Sequence, residues 1–228
     1  MIPFFMISCD PADLQRAMDS INNAGMLSNL DVSNGLKEAL NVGVDNSVAY
    51  LSKPNGYYKS AYKILLPEQA GTVIDKLKFI PGFSNLEEEL IKRVNQGAED
   101  AAKKAGPIFA KAIKNMSFND AMNILMGPKD AATNYLHGNT YNSLNSAFKP
   151  VIVQSLQKVK AQELWEKAIN KYNTIPFIDK INPDLGGHVS EKALVGLFSL
   201  VEKKELGIRS DVGQRSSSLL KRVFAKQD

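Results

Sequence analysis

Apolar residues recur along most of this chain at the three- and four-residue spacing of helices that bury one face. Leu14, Ala17, Met18 and Ile21 follow i, i+3, i+4, i+7. Leu36, Leu40, Gly43, Ser47 and Leu51 repeat the pattern behind a cap at Asp31 or Ser33. Lys53-Pro54-Asn55-Gly56 has turn chemistry and stops that helix. Residues 57–66 then break the helical period. Tyr58, Tyr62, Ile64 and Leu66 alternate, and no second strand is at hand to pair with them, which predicts an extended arm packed on helices.

Helical signals resume at Pro67-Glu68, with Val73, Ile74 and Leu77 on one face, and stop at Pro81-Gly82. Ser84-Asn85-Leu86-Glu87 reads as a capping box opening a helix through Leu90, Val94 and Ala101 to Gly106. Pro107 suits the first turn of the next helix, which buries Ile108, Phe109, Ala112 and Ile113. Ser117-Phe118-Asn119-Asp120 starts another, ending at Gly127-Pro128. Residues 130–136 predict a short helix closed by His137-Gly138. Thr140 then caps a longer one with Leu144, Phe148, Val151, Ser155 and Val159 inward and a kink at Pro150. Leu164, Ala168 and Tyr172 mark a further helix, and residues 175–187 a loop. Ser190 begins a helix burying Leu194, Leu197, Phe198 and Val201, and Leu219, Leu220, Val223 and Phe224 mark the last. The expectation is about nine or ten helices in one all-α domain over residues 10–228, with residues 1–9 outside it.

A net charge of +4 over 228 residues is mildly basic, but acids and bases are interspersed and no aromatic-basic stripe is present. A nucleic-acid partner is therefore not expected. The tail holds Lys203, Lys204, Arg209, Arg215, Lys221, Arg222 and Lys226 against Glu205, Asp211 and Asp228. It reads as a solvated helix face, or as a docking face for an anionic surface. No window approaches the length of a spanning helix, so any membrane link is peripheral or covalent.

The opening MIPFFMISCD carries the only cysteine. No internal disulfide can form. Met6-Ile7-Ser8-Cys9, behind the apolar run of residues 2–7, resembles the end of a lipoprotein export signal, with Cys9 as the lipid anchor; the usual basic segment before the run is missing. The alternatives are a small buried hydrophobe between Pro3 and Pro11, or a reactive thiol. Acylation would tether the domain to a membrane.

Catalytic chemistry is harder to find. His137 and His188 have no motif around them, and with Cys9 they give no zinc spacing. Glu87-Glu88-Glu89 complements a helix dipole, residues 179–184 lack the ligand positions of a calcium loop, and Gly127-Pro128-Lys129-Asp130 is no phosphate cradle. Gly186-Gly187-His188 has hinge chemistry rather than a nucleotide motif. No cofactor or metal is implied, and no catalytic residue. Two polar clusters remain. Asp130, Thr133 and Tyr135 share a segment rich in small residues, and Ser190-Glu191-Lys192 opens a helix. Both suit helix capping, or the wall of a groove between helices.

Five segments come in order: Gly35-Leu36-Lys37-Glu38-Ala39-Leu40; Lys53-Pro54-Asn55-Gly56-Tyr57; Ala112-Ile113-Lys114-Asn115-Met116-Ser117-Phe118; Ile124-Leu125-Met126-Gly127 leading to Ala131-Ala132-Thr133-Asn134-Tyr135; and Val189-Ser190-Glu191-Lys192-Ala193-Leu194-Val195-Gly196-Leu197-Phe198. Together they resemble the bacterial proteins catalogued as domain of unknown function 4197, over roughly residues 27–224. The resemblance implies an all-α fold and, commonly, an export or lipoprotein signal. It implies no activity.

The expectation is an envelope protein on the periplasmic side, membrane-tethered through Cys9, that binds a protein partner or an apolar ligand. The alternative is an enzyme with a cleft near Asp130, Thr133, Tyr135 and Glu191, which requires those side chains to converge. A third reading is a cytoplasmic protein that docks through its basic C-terminal helix.

Overall fold

The computed structural model describes residues 28–81, 83–177 and 185–225. The helix expected around Leu14 and Ile21, the leader with Cys9, and the 179–184 loop lie outside the described residues. Among the described residues the chain forms nine α-helices and no strand. They are α1 (Asn29–Leu51), α2 (Glu68–Leu77), α3 (Leu86–Ala102), α4 (Ala105–Lys114), α5 (Phe118–Leu125), α6 (Ala131–Lys158), α7 (Ala161–Tyr172), α8 (Gly186–Ser210) and α9 (Ser218–Phe224), with a 3-10 turn at Val212–Gln214.

The buried stripes follow the sequence pattern. Leu36, Leu40, Gly43, Ser47 and Leu51 are buried on α1, and Leu194, Leu197, Phe198 and Val201 on α8. The long helices α6 and α8 pack extensively on each other. α3 lies against α6, α1 against α8, and α2 against α7. The short α9 closes over α1, where Gly35 allows near-contact: a Cβ there would stand 2.6 Å from Val223 Cγ2.

Helix boundaries differ from the expected ones at four places. At α1 the cap is Ser28, whose hydroxyl accepts the Asp31 N–H (3.0 Å) while Asp31 accepts the Ser28 N–H (3.1 Å). Asp31 is thus the reciprocal partner rather than the cap, and Ser33 is buried inside the helix. At α3 the expected Ser84–Glu87 box does not form. The helix starts one residue later, behind Asn85, which makes no side-chain cap. Residues 130–158 make one helix instead of two. Thr140 sits in the interior and bonds back to the Leu136 carbonyl (2.6 Å). Leu136, Leu144, Phe148, Ile152 and Leu156 form one buried stripe that favours an unbroken helix, which runs through Pro150. Finally, α8 starts at Gly186, so the Gly-Gly-His segment is its first turn. Ser190 donates across to Asn145 Oδ1 on α6 (2.9 Å) instead of capping.

The expected helix start at Ser117 is a complete capping box. Ser117 Oγ accepts the Asp120 N–H (3.1 Å), and Asp120 accepts the Ser117 N–H (2.9 Å). The Ser117 hydroxyl and N–H hold the Asp120 carboxyl below its ordinary value of 3.8. A depressed folded pKa gives stability that is present above the ordinary value and lost as pH falls through the folded one. Ser117→Ala should therefore cost about 1 kcal/mol at neutral pH. In urea denaturation the gap from wild type should narrow in strong acid; a gap independent of pH would contradict this assignment.

Candidate functional site

The interior of α8 carries an ion pair. Glu205 and Arg209, one turn apart, are 8% and 6% exposed. Glu205 accepts the backbone N–H groups of Ala132 (3.0 Å) and Thr133 (2.8 Å) and the Thr133 hydroxyl (2.9 Å). Arg209 donates through Nε to Glu205 (2.9 Å) and through Nη2 to the Ile124 carbonyl (2.7 Å). The carboxylate thus caps the start of α6 and the guanidinium the end of α5, each where the helix dipole favours its sign. Arg215, also buried, donates to the carbonyls of Ile208 and Arg209 (both 3.0 Å) at the end of α8. Two of the tail's expected surface cations are therefore interior caps. A planar guanidinium can serve several carbonyls at once, which a solvated-face reading of charge does not anticipate.

The non-helical segment after α1 turns through residues 52–62 and extends through residues 63–67. The turn shifts the expected alternation, so Tyr57 is the fully buried tyrosine and Tyr58 is only half-buried. Two residues of α3 hold it. Asn95 Oδ1 accepts the Ile64 N–H (2.8 Å) and Nδ2 donates to the Ile64 carbonyl (2.8 Å), pairing with the arm as a neighbouring strand would. One turn on, Glu99 accepts the N–H groups of Tyr57 (3.3 Å) and Tyr58 (3.4 Å). From the other side, the Tyr57 hydroxyl donates to the Ala193 carbonyl of α8 (2.8 Å). Burial, and then the Glu99 charge, push that phenol well above its ordinary range, so it remains a donor. Gly196 lets the arm lie close on α8: a Cβ would stand 3.1 Å from Tyr57 Cε1 and 3.3 Å from Tyr62 Cβ. His188 Nε2 meets the Leu65 carbonyl at 2.9 Å. A carbonyl only accepts, so this nitrogen carries the proton.

Burial pushes the Glu99 carboxyl above its ordinary value of 4.5, against the backbone donors of Tyr58, Asn55 and Tyr57 that lower it. A raised folded pKa contributes stability below the unfolded value and loses it as pH rises through the folded one. Glu99→Gln should remove this pH dependence. Its stability relative to wild type should rise as pH climbs from 4.5 toward neutrality, read by chemical denaturation across that range. A difference that falls over the same range would overturn the assignment.

Between the arm and α8 lies a groove of about 810 Å³. One wall is the arm and the first turn of α2; the other is the α8 face that runs from His188 through Glu191 and Val195 to Ser199. Leu65 and Val195 are apolar yet 61% and 58% exposed, and both line it. Lys63, Glu68, Glu191 and Lys192 supply charges of both signs. The groove is thus amphipathic, with apolar seats among charged side chains.

The residues selected from sequence occupy separate places. Glu191 lines this groove. Thr133 is buried against Glu205. Tyr135, two positions along α6 and so about 200° around it, lines a different cleft with Asp120. Asp130 stands at the N-cap position of α6, with no side-chain cap bond. The convergence an active site near these four would need is not present. Among the described residues no cluster of three or more His, Cys, Asp or Glu forms a metal site, and no helix is long and apolar enough to cross a membrane. Sequence reasoning missed Asn95 and Glu99. Their signal was available: both are polar positions inside the buried face of α3 formed by Ile91, Val94, Ala98 and Ala102.

Fold and site together define a single all-α domain with a groove between a clamped arm and α8. The family described as "Protein of unknown function (DUF4197)" matches residues 26–225, and the chain belongs to it. No curated protein and no solved structure matches the chain.

Proposed function

We propose that this chain is a non-enzymatic binding protein of the bacterial cell envelope, tethered to a membrane through Cys9. It holds a polypeptide partner in the groove between the arm and α8. The observation that carries the binding role is that Leu65 and Val195, both exposed, line one groove together with Lys63, Glu68, Glu191 and Lys192. Apolar seats ringed by charges of both signs suit side chains of a protein segment better than a wholly apolar ligand. The arm beneath is clamped from α3 and α8, so the surface is preformed and little ordering cost falls on binding. The lipid tether rests on the Met6-Ile7-Ser8-Cys9 segment.

Two experiments test the two halves. For the tether, intact mass and fractionation of the protein from cells carrying its upstream region should give a chain beginning at an acylated Cys9. Cys9→Ser should release it from the membrane; a soluble chain of unmodified mass contradicts the tether. For the groove, the protein solubilised from those cells in mild detergent should migrate as a complex. Val195→Asp should migrate as the chain alone, with an unchanged melting temperature. Identical migration of the two forms contradicts the groove.

A further inference from the structure

A second cleft, of about 670 Å³, lies between α4 and α6 and is independent of the arm groove. Its walls are two facing stripes at four-residue spacing. Pro107, Lys111 and Asn115 come from α4 and its C-cap; Tyr135, Asn139 and Ser143 come from α6. Asp120, on α5, also lines it, and Ile108 and Ala112 supply an apolar floor. Lys111, Asn115, Asn139 and Ser143 are exposed while Ile108, Ala112 and Tyr135 are half-buried, so the cleft is open, with a polar rim above an apolar floor.

The polar groups are also positioned. Asp120 Oδ2 is held by Ser117 (2.9 Å from N–H, 2.7 Å from hydroxyl), which orients the carboxylate and leaves Oδ1 to accept. Asn139 Nδ2 donates to the Tyr135 carbonyl (2.8 Å), which fixes its amide and leaves its own oxygen to accept. The Tyr135 hydroxyl is held in the protonated form by partial burial and by the Asp120 charge. Both donors and acceptors therefore line the cleft. Its lining carries one cation, Lys111, and one anion, Asp120, and so no net charge to favour an anionic or a cationic ligand. Amides, a carboxylate and hydroxyls above an apolar floor match a ring with hydroxyl edges and C–H faces.

We propose that the cleft between α4 and α6 binds a neutral saccharide. Its size suits a mono- or disaccharide.

The test is a nuclear magnetic resonance titration of the ¹⁵N-labelled full chain with glucose, galactose, N-acetylglucosamine, trehalose and lactose. Inorganic phosphate and glutamate serve as charged comparisons. At least one sugar should move the side-chain amide signals of Asn115 and Asn139 to saturation in the millimolar range. Asn139→Ala, an exposed helix position, should weaken that binding about tenfold or more while leaving the melting temperature unchanged. Tyr135→Phe should weaken it as well. The proposal is overturned if no sugar moves those amides, if phosphate or glutamate moves them more strongly than every sugar, or if Asn139→Ala leaves the sugar affinity as it was.

Discussion

Arg209→Ala should cost about 3–5 kcal/mol, roughly a fifth or more of the stability of a typical domain. The substitution does three things at once. It leaves the Glu205 carboxylate buried without its cation, it removes the guanidinium from the Ile124 carbonyl, which keeps the Gly127 N–H (3.3 Å), and it opens space beside the start of α6. The stranded carboxylate dominates the loss, since it has no other cation in a buried place. Arg209→Lys keeps the charge but not the fork that reaches Glu205 and Ile124 together, so it should fall between alanine and wild type. Replacing both partners, Glu205→Leu with Arg209→Met, should not restore stability, because the N–H groups of Ala132 and Thr133 would still lack an acceptor. Neutralising the exposed pair Lys78–Asp75, 47% and 73% exposed, should cost less than about 1 kcal/mol. Urea denaturation of these variants gives the comparison. A loss at Arg209 no larger than at Lys78 would contradict the capping role.

Asn95→Leu should cost about 2–5 kcal/mol, and the loss should fall unevenly. The substitution keeps the branched outline but not the volume, and it strands the Ile64 N–H and carbonyl in a buried place, each worth about 1–3 kcal/mol unpaired. The Asn95 bond to its own helix at Ile91 (2.7 Å) is lost as well. Because the arm is held by a few specific bonds, its amides should lose hydrogen-exchange protection before those of α6 or α8. Ile64 reports this directly. Protection lost uniformly across the helices would mean that Asn95 supports the core rather than the arm.

The helical architecture was legible from periodicity because α1, α8 and α9 bury the residues that their spacing selects, Leu36 through Leu51 on α1 among them. Punctuation was less reliable. His137-Gly138 and Thr140 suggest a boundary, yet the stripe from Leu136 to Leu156 runs unbroken across them, and tertiary burial outweighs local propensity. The basic tail misleads for a related reason: charge in sequence does not say whether a guanidinium meets water or carbonyl oxygens, and Arg209 and Arg215 meet carbonyls. Among the candidate residues, Glu191 lies on the groove and Tyr135 on the second cleft, while Thr133 serves a helix start. The rest of the groove comes from residues 61–69 meeting α8, more than 120 positions away at the His188–Leu65 bond. A single sequence holds no local trace of such a meeting. Cys9 lies outside the described residues, and the proposal that it is an anchor rests on the opening segment.

The central claim is that the groove between the arm and α8 meets a protein partner. The most direct measurement places a photoactivatable cross-linking residue at Val195, in the groove, and separately at Glu163, exposed on α7, in the cells that make the protein. The account predicts a discrete polypeptide adduct from position 195, absent at position 163 and lost when Leu65→Asp is added. No adduct at position 195, or the same adducts from both positions, would contradict it.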